Sequence, residues 1–216
     1  MKRLDVPHLT QLQRTTPMQE ISAALDHMPK HRIDNAPWPE FNYVPEVSFS
    51  IAHADSCLLL KYYVLESVVK AAWFRTDDPV YKDSCVEFFI SMGEDKAYYN
   101  FEFNIIGTCK LNYGVDRNER KVVSEKLISS IRYLSSMQNT PGADGSKAVH
   151  WELTLMIPTD AFSEHSELSL AGKKCRANFY KCGDDLPVPH YLCWNNIKSP
   201  QPDFHLSEYF GEVIFQ

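Results

Sequence analysis

Two short runs carry the residues best suited to chemistry: DSCVEFFI over residues 83–90 and YYNFEFNIIG over 98–107. In extended backbone, side chains alternate between faces. Cys85, Glu87 and Phe89 then share one face of the first run, and Val86, Phe88 and Ile90 the other. In the second run Tyr99, Phe101, Phe103 and Ile105 make an apolar face. Tyr98, Asn100, Glu102, Asn104 and Ile106 make the opposite one. A polar stripe on a strand is most often just a solvated face, but this one is richer in amide and carboxylate than solvation requires. Sugar hydroxyls are donors and acceptors at once and pair well with such groups, while the C–H patches of a sugar ring stack on aromatic faces. Tyr81, Glu87, Asn100, Glu102, Asn104 and Trp194 together offer that set. Hydrolysis is the second chemistry the same acids permit. A glycosidase sets two carboxylates ~5 or ~6.5–9.5 Å apart across the scissile bond, and Glu87 and Glu102 qualify if their strands are neighbours. Neither local context marks a tuned acid.

Other constellations are weaker. No dinucleotide fingerprint, phosphate loop, zinc-protease helix or serine nucleophile elbow is present. The acids Asp77, Asp78 and Asp83 offer oxygen to a calcium ion, but their spacing matches no calcium-loop template, and a solvated acidic loop is the simpler expectation. Six cysteines (Cys57, Cys85, Cys109, Cys175, Cys182 and Cys193) form no C-x-x-C pair. Most lie in apolar strand patterns, where a reduced thiol behaves as a small hydrophobe. The eight histidines are scattered.

Acids outnumber bases by 28 to 22, which argues against a nucleic-acid partner. No apolar run reaches the ~20 residues of a membrane span. The opening MKRLDVPHLTQLQRTT has no apolar stretch behind its basic residues, so no secretory signal is read. A cytoplasmic location is expected, or an extracellular or periplasmic one if the chain has been trimmed.

The elements that must position these residues read as strands. VSFSIAHA and CLLLKYYVLES form a hairpin around a short turn, and SVVKAAWF continues the β-rich run. The two chemistry-bearing runs are joined by the polar turn GEDKA. TCKLNYG, SSIRYLSS, VHWELTLMIP, KCRANFYKC, HYLCWNNI and GEVIFQ supply further strands, and NTPGADGSKA is the clearest loop. PTDAFSEHSE has room for one helical turn. Residues 1–45 are rich in proline, with one short helix expected near Gln19 to His27; they read as an irregular N-terminal arm pinned by Trp38 and Phe41. Residues 46–216 form the body. The expectation is a single all-β domain, an antiparallel β-sandwich of jelly-roll type with that arm attached.

The motifs V-x-x-DSCVEFFI, YYNFEFN, ANFYKCGD and W-x7-PDFH-x4-FG-x3-F occur in the order found in family 9 carbohydrate-binding modules, and the chain resembles that family over roughly Val47 to Phe215. The resemblance implies a jelly-roll sandwich related to the DOMON superfamily. It implies non-catalytic binding of glucan- or xylan-type oligosaccharides or chain ends, gripped between two aromatic rings, as in polysaccharide utilisation. Tyr81 falls at the position of the first ring, Trp194 at the second, and Glu87 at the hydrogen-bonding glutamate. Glu102 stands where the family has a basic residue. The family requires no cofactor, although structural calcium is possible. The DOMON relation also admits haem held by Met92 or Met156 and a histidine, which no spacing here supports. A glycan hydrolase, or an interaction scaffold whose sugar site has decayed, are the alternatives; the oligomeric state is open.

Overall fold

The computed structural model describes residues 1–141, 145 and 147–216. In chain order the elements are β1 (Arg3–Val6), α1 (Met18–Asp26), β2 (His31–Arg32), β3 (Glu46–Ala54), β4 (Cys57–Glu66), β5 (Cys85–Met92), β6 (Tyr98–Asn104) and β7 (Cys109–Gly114). There follow β8 (Arg120–Val122), α2 (Glu125–Ile128), β9 (Arg132–Pro141), β10 (Lys147–Pro158), β11 (Lys174–Cys182), β12 (Tyr191–Cys193) and β13 (Gly211–Phe215).

They build two facing sheets. The larger runs β1-β13-β11-β5-β6-β7-β8, with β12 also on β11; the smaller runs β2-β3-β4-β10-β9. Pairing is antiparallel throughout except for the parallel β1–β13 contact. One edge of β11 serves two partners in turn, β13 along Lys174–Ala177 and β12 along Tyr180–Cys182. The core lies between the sheets. Val86, Phe88 and Ile90 of β5 and Tyr99, Phe101 and Phe103 of β6 enter it with Phe49, Tyr62, Trp151 and Phe179. The alternation in the two runs therefore fixes which side chains point inward and which face out.

The N-terminal arm is more ordered than its prolines suggest. β1 extends the larger sheet through β13. α1 lays Met18, Ile21 and Leu25 over Ala52, Ala54, Cys57, Leu59 and Met156 on the outer face of the smaller sheet. This cover explains why β4 is buried on both faces. Of its two charged interior groups, Lys61 is 1% exposed and pairs with Asp26 at 2.7 Å and Glu152 at 2.8 Å, and Glu66 pairs with Lys181 at 3.0 Å, as buried charges require. Trp38 is buried and Phe41 packs beside it, so both pin the arm as expected.

SVVKAAWF is not a strand. Both carboxylate oxygens of buried Asp83 accept from the Ala72 amide, and Oδ2 also accepts from the Trp73 amide; the Lys70 amide donates to Ser84 Oγ. Side-chain oxygens thus replace a neighbouring strand as acceptors, and Phe74 stays exposed. The expected loop NTPGADGSKA is shorter than its composition suggests: Asn139, Thr140 and Pro141 end β9 and pair with the start of β10, where Lys147 and Ala148 lie, and most of the tip between them lies outside the described residues.

Candidate functional site

On the outer face of the larger sheet, β5 and β6 are registered so that Glu87 lies directly opposite Glu102. On the other side of β6, Lys110 of β7 faces Glu102 and Asn112 faces Asn100. These side chains floor a cavity of about 640 Å³, within the range that small ligands occupy. The 3₁₀ turn Val80–Lys82 brings Tyr81 to the rim. Tyr191 of β12, Phe41 of the arm and Phe204 of the 201–205 loop add three more rings. Phe41 meets Tyr191 edge to face at 4.8 Å and Tyr191 meets Phe204 edge to face at 6.1 Å, while Phe204 also stacks on buried Tyr180 at 4.2 Å.

Arg120 organises the polar floor. Its Nε and Nη2 donate to Asn100 Oδ1 at 3.0 and 2.7 Å, Nη2 also donates to the Tyr98 carbonyl, and Nη1 donates to the Asp116 carbonyl. The guanidinium lies over the Tyr98 ring. With its oxygen held, Asn100 can only turn Nδ2 to Glu102 Oε1, at 2.6 Å. Glu102 Oε2 is buried and has no protein partner. Across the strand, Glu87 Oε1 accepts from the Cys182 thiol at 3.1 Å. Burial raises both carboxyls; the charge of Glu102 lifts Glu87 further, well above the usual range, and Glu102 sits at about 7. Burial likewise lifts Asp184, on the rim, to about 6. His205 receives or gives the bond to the Tyr98 hydroxyl through Nδ1, and burial, then Arg120, hold it down at about 3, so the ring is neutral at physiological pH.

Tyr81, Glu87, Asn100 and Glu102 therefore converge on one cavity. Two of the expected residues do not. Trp194 is 3% exposed and packs edge to face on Phe179 and Phe49, inside the sandwich. It follows the end of β12, where its amide donates to the Phe179 carbonyl, and the chain there directs the ring inward. Tyr191, on the strand itself, occupies the wall instead. Asn104 is fully buried and spends its amide on the Trp73 carbonyl and Asp83 Oδ2, shaping the loop beneath Tyr81. The basic side chain absent at Glu102 is supplied from other strands, by Arg120 and Lys110, with Arg117 at the rim.

The acidic loop does not fit calcium. Asp77 pairs with Lys110 at 2.7 Å, Asp78 Oδ2 accepts from the amides of Phe74 and Arg75, and Asp83 is taken up by N–H donors. Each acid faces its own protein partner, leaving no shared oxygen cage.

The model of carbohydrate-binding family 9 matches residues 18–215, nearly the whole chain. The chain belongs to carbohydrate-binding family 9. Among solved structures, a protein of Bacteroides uniformis to which carbohydrate binding has been ascribed is 35% identical, with a TM-score of 0.90 over 100% of this chain and 99% of its own. A family 9 module of Caldicellulosiruptor kristjanssonii in complex with glucose is 12% identical, with a TM-score of 0.58 over 100% of this chain and 96% of its own. The complex of a family 9 module from the same organism with cellotriose gives 11% and 0.59, over 100% of this chain and 94% of its own. At those identities the likeness is one of fold. No curated protein matches the sequence.

Proposed function

We propose that the cleft holds a glucan- or xylan-type oligosaccharide, or the end of such a chain, without cleaving it. The observation that carries this reading is the unpartnered, buried Glu102 Oε2 in a cavity walled by Phe41, Tyr81, Tyr191 and Phe204. A buried acceptor without a donor costs free energy unless a ligand hydroxyl completes it, and aromatic walls suit the C–H faces of the same sugar. Family membership and the sugar-bound relatives support the same class of ligand. Hydrolysis fits less well. Glu87 and Glu102 rise side by side from one floor on adjacent strands, whereas a glycosidase places its carboxylates to flank the bond.

Calorimetry against cello-, xylo- and manno-oligosaccharides, with the mixtures followed for hours by chromatography, tests this. Binding with no cleavage is expected; silence across the panel sinks the reading, and cleavage replaces it with the hydrolase. Tyr81→Ala and Tyr191→Ala should each weaken binding roughly tenfold, the worth of one stacking face, with the melting temperature within a few degrees of wild type.

Arg120→Lys is the informative change on the floor. Lysine keeps the charge but cannot fork onto Asn100 while reaching the Tyr98 carbonyl. Asn100 is then free to rotate and Glu102 loses its fixed donor. An affinity loss of about tenfold or more is expected in the same titration; an unchanged affinity would show that the Arg120–Asn100–Glu102 chain is not what orients the acceptor.

A further inference from the structure

Cys85 and Cys182 lie directly opposite each other across β5 and β11, on the face that carries Glu87. Both sulfurs and a Glu87 carboxylate oxygen fall within 4.8 Å of one another, and Cys182 Sγ is 3.1 Å from Glu87 Oε1. Among the described residues this is the one place where three His, Cys, Asp or Glu donors converge so closely. All three are buried. Cys182 and Glu87 also line the cleft described above.

A tetrahedral zinc ion bonds sulfur at ~2.3 Å and carboxylate oxygen at ~2.0–2.2 Å, which sets its ligand atoms roughly 3.6–3.8 Å apart. The observed separations admit one such ion with only side-chain adjustment. Outside the cluster the thiols make only long contacts, Cys85 Sγ 3.7 Å from the Val86 carbonyl and Cys182 Sγ 3.6 Å from that of Tyr81; the metal would replace the Cys182–Glu87 hydrogen bond and release the ligand protons to solvent. We propose that Cys85, Cys182 and Glu87 form a binding site for a thiophilic divalent cation of the zinc class, in the floor of the cleft, with the remaining coordination position toward the cavity. Two thiolates and a carboxylate select zinc, cobalt(II) or cadmium over calcium or magnesium. Glu102 Oε2, opposite Glu87 and unpartnered, is placed beside that fourth position. Lys110, Arg117 and Arg120 around the same cavity offset the extra negative charge. Metal is titrated without sugar, so the outcome can be read apart from the sugar reading of the same cavity.

The test uses the full chain, chelator-treated and kept reduced with a phosphine, in the absence of sugar. Titration with cobalt(II) is expected to saturate at one equivalent with a thiolate-to-cobalt charge-transfer band and the visible bands of a tetrahedral ion. One equivalent of zinc should bleach them, and zinc should raise the melting temperature. Cys182→Ala and the Cys85→Ala/Cys182→Ala pair should lose the charge-transfer band. Cys57→Ala, altering a cysteine on the other sheet beneath α1, should keep it. Absence of the band in the wild-type chain overturns the proposal without reference to any variant. So does an undiminished band in a Cys182→Ala protein whose circular dichroism is native.

Discussion

Trp194→Ala is expected to lower stability by about 3–5 kcal/mol and to leave the sugar affinity of the folded protein within about twofold of wild type. The ring is 3% exposed. It meets Phe179 at 5.6 Å and Phe49 at 6.3 Å, both edge to face, and so ties the inner faces of the two sheets together. It also lies on Gly211, where a Cβ would come within 2.5 Å of it. Glycine there lets the indole seat against β13 itself, so truncation to alanine opens a cavity between the sheets with the penalty that cavities carry. Chemical denaturation gives the stability, and calorimetry under native conditions gives the affinity. Lost sugar binding with unchanged stability would return Trp194 to the site and displace Tyr191 from it.

The same residue shows how far alternation carries. The inward and outward faces of β5 and β6 follow from period-two alternation, because each run is long, regular and ends in polar turns; Glu87, Asn100 and Glu102 could be placed on one face from that alone. In YLCW the same alternation sends Leu192 and Trp194 into the core and leaves Tyr191 and Cys193 on the outer face, so the pattern offers Tyr191, and not Trp194, to the cleft. Asn178 Oδ1 accepts from the Asn195 and Phe179 amides, and Asn178 Nδ2 donates to the Asn195 carbonyl. A side-chain amide thus does the work of a strand for Asn195, just past Trp194. Nothing in HYLCWNNI announces that substitution. Arg120 was hidden for another reason. It lies in GVDRNERKVV, which has the composition of a solvated loop, and gains its role only because β8 pairs with β7 and returns the guanidinium across Asn100. Asp83 likewise reads as part of an acidic loop, yet it is buried and builds the segment under Tyr81.

Glu102→Gln is expected to stabilise the protein at alkaline pH while weakening its hold on sugar. Burial lifts the Glu102 carboxyl to about 7 in the folded state, against an ordinary value of about 4.3. Below both values folded and unfolded chains carry the proton alike and nothing is lost. As the pH rises, the unfolded chain releases it first, and stability falls until the pH passes the folded value. At roughly 1.4 kcal/mol per pH unit the fall is on the order of 3 kcal/mol. Glu87, raised further by burial and by the charge of Glu102, acts in the same direction. His190 and His205 act in the opposite one. Burial, with Lys181 beside one and Arg120 beside the other, holds each near 3, so from about pH 6.5 downward the unfolded chain takes up protons that the folded chain refuses. Wild-type stability should therefore peak in the mildly acidic range. Glutamine keeps the Oε1 acceptor for Asn100 and presents Nε2 where the orphan oxygen was, next to Glu87. It should remove about 2–3 kcal/mol of the alkaline fall and converge on wild type toward about pH 4. The amide nitrogen cannot accept a sugar hydroxyl, so affinity should drop at every pH. Denaturant melts at pH 5, 6.5 and 8 decide the matter: parallel curves for the two proteins would mean that Glu102 is already ionised in the fold. The expected divergence would mean that the fold keeps a buried carboxyl which costs it stability at alkaline pH, the cost that a ligand hydroxyl on Oε2 would offset.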